Sequence, residues 1–310
     1  MKYFYPIILK NKRFQPFELS KGIIIRHMTI SERKEFFGLK KVGFIFSNKF
    51  PLGFIALHDF YPSKKIKGHC PYGSLLQRGH FDGSSDIVAS NYVISVNYEE
   101  RPNAFNLLID DINLSFILHR STSTGAYLGF KENETDVSFH YRMTIHGPFD
   151  YLYVTREDLV KIKKIFELVN TKKDDNKFKL CAELYSRALQ GNRLDLDLRF
   201  ILLVTCLESL YLPEGGQELN FRLSLRIAKL LTKYNYGTCE DIYKKMRDIY
   251  ATQSSLLHAG KTGKLNGDIF FETVEIVRKS LNLYLKSSTL FTKDSFDKIV
   301  LNYNDARKCR

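Results

Sequence analysis

The segment Phe200–Leu207 is apolar on every side of a helix, and this feature most constrains the fold of the chain. A helix without a polar face is not stable with one side exposed to solvent, so other elements must surround it. Amphipathic helical patterns flank it at 178–189, 218–233 and 267–286. We therefore predict a helical bundle in which a helix spanning about Leu196–Tyr211 is central and buried.

Two short motifs indicate where helices begin. In Thr155-Arg156-Glu157-Asp158 and in Thr238-Cys239-Glu240-Asp241, a hydroxyl stands three residues before a carboxylate. This spacing is that of a capping box, in which the two side chains satisfy free backbone amides of the first turn. The second of these helices is predicted to end near Ala259-Gly260, because Gly favours helix C-termini. The tail 294–310 either extends the preceding helix or frays.

The first half of the chain has a different pattern. Its Ala104–His119 segment has the length of a helix, and turn-rich stretches separate the predicted strands, which are Phe4–Leu9, Gly22–Arg26, Val42–Phe46, Gly53–His58, Tyr92–Tyr98 and Asp136–Met143. The change of pattern falls at His146-Gly147-Pro148. The predicted fold class is therefore α+β with two domains: residues 1–150 form an N-terminal mixed α/β domain of unknown role, and residues 151–310 form an all-α helical domain.

The composition indicates the kind of partner. The 310 residues carry a formal net charge of +13, from 47 basic and 34 acidic side chains. Such an excess favours a polyanionic partner, either nucleic acid or an anionic membrane surface. A basic protein without a nucleic-acid role is the alternative.

The sequence predicts a cytoplasmic protein. No window approaches the ~18 apolar residues of a membrane span, and the N-terminus lacks the apolar run of a signal peptide. The five cysteines are far apart and form no CxxC pair, which fits free thiols in a reducing compartment. We therefore expect no membrane partner.

Glu208 interrupts the apolar central helix. A carboxylate there must be paired or protonated, because an unpaired buried charge is strongly destabilising. The following helix offers partners on one face, at spacings of four, three and four residues: Arg222, Arg226, Lys229 and Lys233. One interpretation is a cationic face, braced by the carboxylate, that binds phosphates. The other is a buried Glu–Arg pair beside a solvated stripe.

His258 stands two residues before the Gly that is predicted to end its helix. The helix dipole stabilises an imidazolium at that end, which raises its pKa. Such a His can take a proton from a ribose 2′-hydroxyl or give one to a leaving 5′-oxygen, without a metal. The alternative is a His that caps the carbonyls of its own helix or lies on the surface.

Gln253 precedes His258 by five residues, which places the two side chains about 140° apart on an ideal helix. Both reach one phosphate only if the helix ends between them, or if a two-fold dimer brings a second copy of the motif across a shared groove. Arg247 lies six residues before Gln253, about 240° around the helix, and is no simple substitute for it.

Several segments in order resemble the HEPN superfamily (higher eukaryotes and prokaryotes nucleotide-binding), specifically its Apea-like branch. Leu207–Pro213 resembles an ALEALYLP-type helix end, and Glu218–Ala228 resembles an ELSFRLALRxA-type segment. Ile249–Gly260 resembles the YxxRSxxVHG-type site, and Val277–Leu281 fits the helix that follows. The resemblance covers about the C-terminal half of the chain.

This resemblance implies a helical bundle that forms a homodimer and acts on RNA, in toxin systems, CRISPR effectors or antiviral defence. It implies a metal-independent endoribonuclease that leaves 2′,3′-cyclic phosphate ends, with His258 as general acid or base and with Gln253 and Ser254 orienting the phosphate. The implied RNA-binding residues are Arg222, Arg226, Lys229 and Lys261. Gln253 stands where the RxxxxH motif of the family has Arg, so the motif is degenerate and a charge-assisted contact is lost.

The degenerate motif leaves a second function open. A catalytically inactive HEPN module would keep RNA binding or protein interaction. In a third interpretation the N-terminal domain is a sensor that detects a viral or cellular trigger and releases the HEPN half. None of these functions requires a cofactor or metal. His58, His69, Cys70 and His80 lack the regular spacing of a zinc site, and no phosphate-loop motif is present.

Overall fold

The computed structural model of the chain describes the following residues: 2–7, 15–27, 29, 44–46, 55–56, 86–88, 92–97, 102–120, 128–131, 137–139, 154–189, 195–213, 219–259 and 265–301. The chain divides into two compact units, Met1–Phe166 with Gln190–Asn192, and Glu167–Leu189 with Arg193–Arg310. This division falls inside a helix, Arg156–Thr171, and not at residue 150.

The first unit contains two antiparallel sheets. The strands are β1 (Lys2–Ile7), β2 (Phe17–Ser20), β3 (Ile23–His27), β4 (Phe44–Phe46), β5 (Ile55–Ala56), β6 (Asp86–Val88), β7 (Tyr92–Asn97), β8 (Leu128–Lys131) and β9 (Val137–Phe139). One sheet has the order β2-β3-β7-β1-β8-β9, and the other has the order β5-β4-β6. In the larger sheet β7 pairs on both sides, with Tyr92 opposite Ile7 of β1 and opposite His27 of β3.

Helices α1 (Pro102–His119) and the first part of α2 (Arg156–Thr171) complete this unit. Their apolar faces join the sheet in one buried cluster, which includes Ile25 and Ile94 from the strands, Phe116 from α1 and Phe166 from α2. Alternation along the strands explains the sheet's contribution, because every second side chain points to the same face. The first helix of the predicted helical domain therefore contributes most of its length, residues 156–166, to the first unit.

A polar contact joins α1 to α2. The ring of His119 lies 3.0 Å from a carboxylate oxygen of Asp158, which also accepts from the backbone amide of Thr155 at 3.0 Å. Asp158 in turn donates its amide to the Thr155 hydroxyl at 3.1 Å, which confirms the predicted capping box. Burial lowers the pKa of His119, and the Asp158 carboxylate opposes that shift only in part. The contact therefore ties the end of α1 to the first turn of α2.

The second unit is helical. Its elements are α3 (Asn176–Leu189), α4 (Leu196–Tyr211), α5 (Leu219–Lys233), α6 (Cys239–Ala259), α7 (Gly267–Lys286), a 3₁₀ turn (Ser288–Phe291) and α8 (Lys293–Leu301). Helix α4 contacts α3, α5, α6 and α7, so its predicted central position is confirmed. The second capping box is confirmed as well, because the Thr238 hydroxyl accepts from the amide of Asp241 at 3.1 Å.

The described part of the tail, 294–301, forms a separate helix and does not extend the preceding one. Helix α7 stops at Lys286, a 3₁₀ turn follows, and α8 is a separate helix that packs against α5. Phe291 and Phe296 are buried and lie against the ring of Tyr211, with ring centroids 5.2 Å and 5.5 Å away. Burial of these rings explains why the chain folds back after α7.

Candidate functional site

Three helices of the second unit carry the predicted site. Glu208 lies in the last turn of α4, the cations lie along α5, and Gln253, Ser254 and His258 follow each other in the last two turns of α6. Helix α6 runs without interruption to Ala259, so position 258 is in its last turn. The helix does not end between Gln253 and His258.

Glu208 and Gln253 contact each other. Their side chains are hydrogen bonded across α4 and α6, and Gln253 is only 5% exposed. Burial raises the pKa of Glu208, and the bond from Gln253 opposes that rise. Tyr250 lies close enough for the Glu208 charge, together with burial, to raise its pKa. The predicted partner of this carboxylate was a cation of α5, and the structure places the neutral amide of Gln253 there.

Arg226 belongs to the packing of the unit. It is 5% exposed, its guanidinium donates to the carbonyl of Tyr211 at 2.9 Å, and it lies 4.9 Å from the centre of the Phe296 ring. A further nitrogen stands 3.7 Å from Asp297 of α8. The arginine therefore ties α5 to the end of α4 and to α8, and its ion-pair partner is Asp297.

The remaining predicted RNA-binding residues divide into two groups. Arg222 and Lys229 are partly exposed on α5, and Ser254 is partly exposed on α6. Lys261 and the side chain of His258 lie outside the described residues. The burial of Arg226 interrupts the predicted cationic face between Arg222 and Lys229.

The outward face of α6 carries Ser254 together with residues that the sequence analysis did not select as site residues. Tyr243, Arg247, Tyr250 and Ser254 follow at spacings of four, three and four residues and so share one face of the helix. Arg247 is exposed, and both tyrosines are partly exposed. The ring of Tyr243 meets that of Phe221, which is 52% exposed at the start of α5, with centroids 6.5 Å apart.

The signal for this face was present in the sequence. Position 258 follows Arg247 by eleven residues, which is three full turns plus about 20°, so the two positions share one face of the helix. A comparison of Arg247 with Gln253 does not reveal this shared face. Gln253 lies on the buried side of the helix, about 140° around the axis from position 258. Among the described charged residues of this face, Arg247 is therefore within about 20° of position 258, where the proton transfer is predicted.

No group of three or more His, Cys, Asp or Glu side chains that could hold a metal ion occurs among the residues that the structure describes. The four residues weighed as metal ligands, His58, His69, Cys70 and His80, lie outside that set. An open depression of about 560 Å³ lies beside α8, where Asp294, Asp297, Lys298 and Leu301 line it. None of the described helices is both long and apolar enough to cross a membrane.

Comparison of the chain with protein-family models, with curated proteins and with solved structures gives no match. The assignment of a function therefore depends on the residues and their geometry.

Proposed function

We propose that this protein acts on RNA through its helical unit, as a HEPN-type protein with a metal-independent endoribonuclease site whose activity is attenuated at Gln253. His258 is the general acid or base, and Ser254 contacts the phosphate. The observation that carries the proposal is the continuous α6, which places position 258 in the last turn of a helix, where the dipole favours an imidazolium. The net charge of +13 supports a polyanionic substrate.

The attenuation follows from the surroundings of Gln253. A buried amide that donates to Glu208 brings no positive charge to a phosphate. Loss of one preorganised transition-state contact reduces rates on the order of a hundredfold or more. A low rate fits a protein that acts in a toxin or antiviral defence system and is released by a trigger protein. A homodimer through the helical unit would supply the second His258 of a shared groove.

Cleavage tests the proposal directly. Purified protein is incubated with mixed single-stranded RNAs in EDTA, and the ends of the products are analysed. We expect slow cleavage that leaves 2′,3′-cyclic phosphates and 5′-hydroxyls, and that falls about a hundredfold or more in His258→Ala. Leu257→Ala, at the neighbouring exposed position, is the matched control and should cleave like the wild type. Undiminished cleavage in His258→Ala, or no cleavage of any RNA, would refute the enzymatic part.

The buried Gln253 also favours a second candidate, an RNA-binding or regulatory module that no longer cleaves. The substitution Gln253→Arg separates the two. A gain in cleavage means that the site is an attenuated nuclease. Retained RNA binding without any cleavage in either form means that the domain is a binding module, and absence of RNA binding in both forms points to protein interaction.

A further inference from the structure

An exposed aromatic pair lies at the start of α5 and α6. Phe221 is 52% exposed although it is a large apolar side chain, and its ring meets the ring of Tyr243 at 80° with centroids 6.5 Å apart. Tyr250, two turns further along α6, is partly exposed on the same face as Tyr243. Aromatic side chains that are accessible at the surface can stack on flat ligands such as nucleic-acid bases.

A single cation lies between the two tyrosines of α6. Arg247 follows Tyr243 by four residues and precedes Tyr250 by three, and its side chain is exposed. Ala251, one turn further, is exposed as well, and its side chain beside the guanidinium is small. Lys244 flanks the same face, and Asp248 lies about 100° around the helix from Arg247. The face thus carries one positive charge between two aromatic side chains, and Glu240, two turns before Arg247, is the acidic residue at its start.

This arrangement fits the chemistry of an unpaired nucleic-acid strand. Sequence-tolerant binding of single strands combines a basic track for phosphates with aromatic side chains for bases. A duplex hides the faces of its bases, so it cannot use the rings. Arg247 and position 258 are about 16 Å apart along the helix, so they would contact different phosphates of one strand.

We propose that Phe221, Tyr243, Arg247 and Tyr250 form a platform for single-stranded RNA, here called the α6 platform. Its rings stack on unpaired bases, and its guanidinium binds a backbone phosphate. This inference rests on the proposed function, because it names the surface that leads a strand toward position 258.

Binding is measured by fluorescence anisotropy with a labelled, mixed-sequence single-stranded RNA. The full chain carries His258→Ala, so that cleavage does not interfere. We expect Tyr243→Leu to weaken binding about tenfold, whereas Tyr243→Phe keeps the ring and stays within about twofold. Arg247→Gln should reduce the slope of log affinity against log salt by about 0.7, whereas Arg247→Lys should keep the slope.

The controls remove an exposed apolar side chain and an exposed cation elsewhere in the unit. Leu180→Ala removes another half-exposed apolar side chain, and Lys286→Gln removes another exposed cation. Both should bind RNA like the parent protein, and the parent should prefer single-stranded RNA to duplex RNA of the same sequence.

Several results would overturn the platform. One is equal affinity for Tyr243→Leu, Tyr243→Phe and the controls, and another is an unchanged salt slope for Arg247→Gln. A third is binding to vesicles of phosphatidylserine and phosphatidylcholine that these variants weaken while RNA affinity is unaffected. If the wild-type protein binds RNA through the platform but does not cleave it, only the nuclease proposal is refuted. If the protein cleaves RNA and the platform variants do not change the cleavage rate, only the platform is refuted.

Discussion

Helices α5 and α6 carry rows of residues with the same spacing and different surroundings. On α5 the row is Arg222, Arg226, Lys229 and Lys233, and on α6 it is Tyr243, Arg247, Tyr250 and Ser254. The central arginine of the α5 row is 5% exposed beneath α8, whereas the arginine of the α6 row is exposed. The same residue type at the same spacing therefore stabilises the fold in one row and faces the solvent in the other.

This difference shows what helical spacing alone can predict. It indicates which side chains share a face, but not whether another helix covers that face. On α5 the chain supplies the cover itself, because α8 brings Phe296 and Asp297 to Arg226. A buried charge is destabilising unless it has polar or ionic partners. The partners of Arg226 include the Tyr211 carbonyl, the Phe296 ring and the Asp297 carboxylate.

The largest expected effect separates the two arginines. Arg226→Ala should lower the free energy of unfolding by about 3 kcal/mol, because it removes a buried charge that joins three helices. Arg247→Ala should change it by less than about 0.5 kcal/mol, because the side chain is exposed. Urea unfolding followed by far-ultraviolet circular dichroism measures both.

RNA binding by the Arg226 and Arg247 variants tests whether α5 or α6 provides the phosphate contact. At temperatures where Arg226→Ala remains folded, it should bind RNA with an unchanged salt slope, whereas the Arg247 variant should lose slope. An Arg226→Ala protein that is as stable as the wild type but binds RNA weakly would assign the phosphate contact to α5.

The next effect concerns the buried and exposed sides of α6. Gln253→Ala should cost about 1–2 kcal/mol of stability, because the half-buried Glu208 loses its hydrogen-bond donor. Ser254→Ala, at the adjacent and partly exposed position, should cost less than about 0.5 kcal/mol. If Gln253→Ala leaves the unfolding free energy unchanged and reduces only RNA binding, then Gln253 faces the ligand and not Glu208.

The smallest effect is a pH dependence at Glu208. Its pKa in the folded protein is raised above the usual 4.5 by burial, although Gln253 limits the rise. Between these two pKa values the folded state binds more protons than the unfolded state, so stability falls as the pH rises through that window. Glu208→Gln keeps the shape and removes the titration.

Melting temperatures of the wild type and Glu208→Gln, measured between about pH 4 and pH 7, test this sign. The variant should be equal in stability to the wild type, or slightly more stable, at neutral pH, and the difference should shrink toward acid pH. A variant that is clearly less stable at neutral pH would mean that the ionised carboxylate has a stabilising partner.

Much of the helical structure was predictable because its signals are local. The capping boxes at Thr155 and Thr238, the apolar α4 and the ends of α7 all follow from neighbouring residues, and the structure confirms them. Strands β2, β6 and β8 were not predicted. They are three or four residues long. Strands β4, β5 and β9 are equally short, but they lie within longer runs that favour strands, and those runs were recognised.

The missing parts of the candidate site depend on distant contacts. The spacing of the α5 cations says nothing about α8, which returns from the end of the chain to cover Arg226. Glu208 was expected to need a partner, but the choice between a cation of α5 and Gln253 of α6 is decided by how α4 and α6 pack. The outward face of α6 could have been found by comparing Arg247 with His258 directly.

Photo-crosslinking of single-stranded RNA to the full-length protein, followed by mapping of the crosslinked peptides, tests most directly whether RNA binds the outward face of α6. The account predicts that crosslinks concentrate in the segment 243–258 and disappear with a Tyr243→Leu, Arg247→Gln double variant. Crosslinks that concentrate on α5 around Lys229 and Lys233, or that persist unchanged in the double variant, would contradict it.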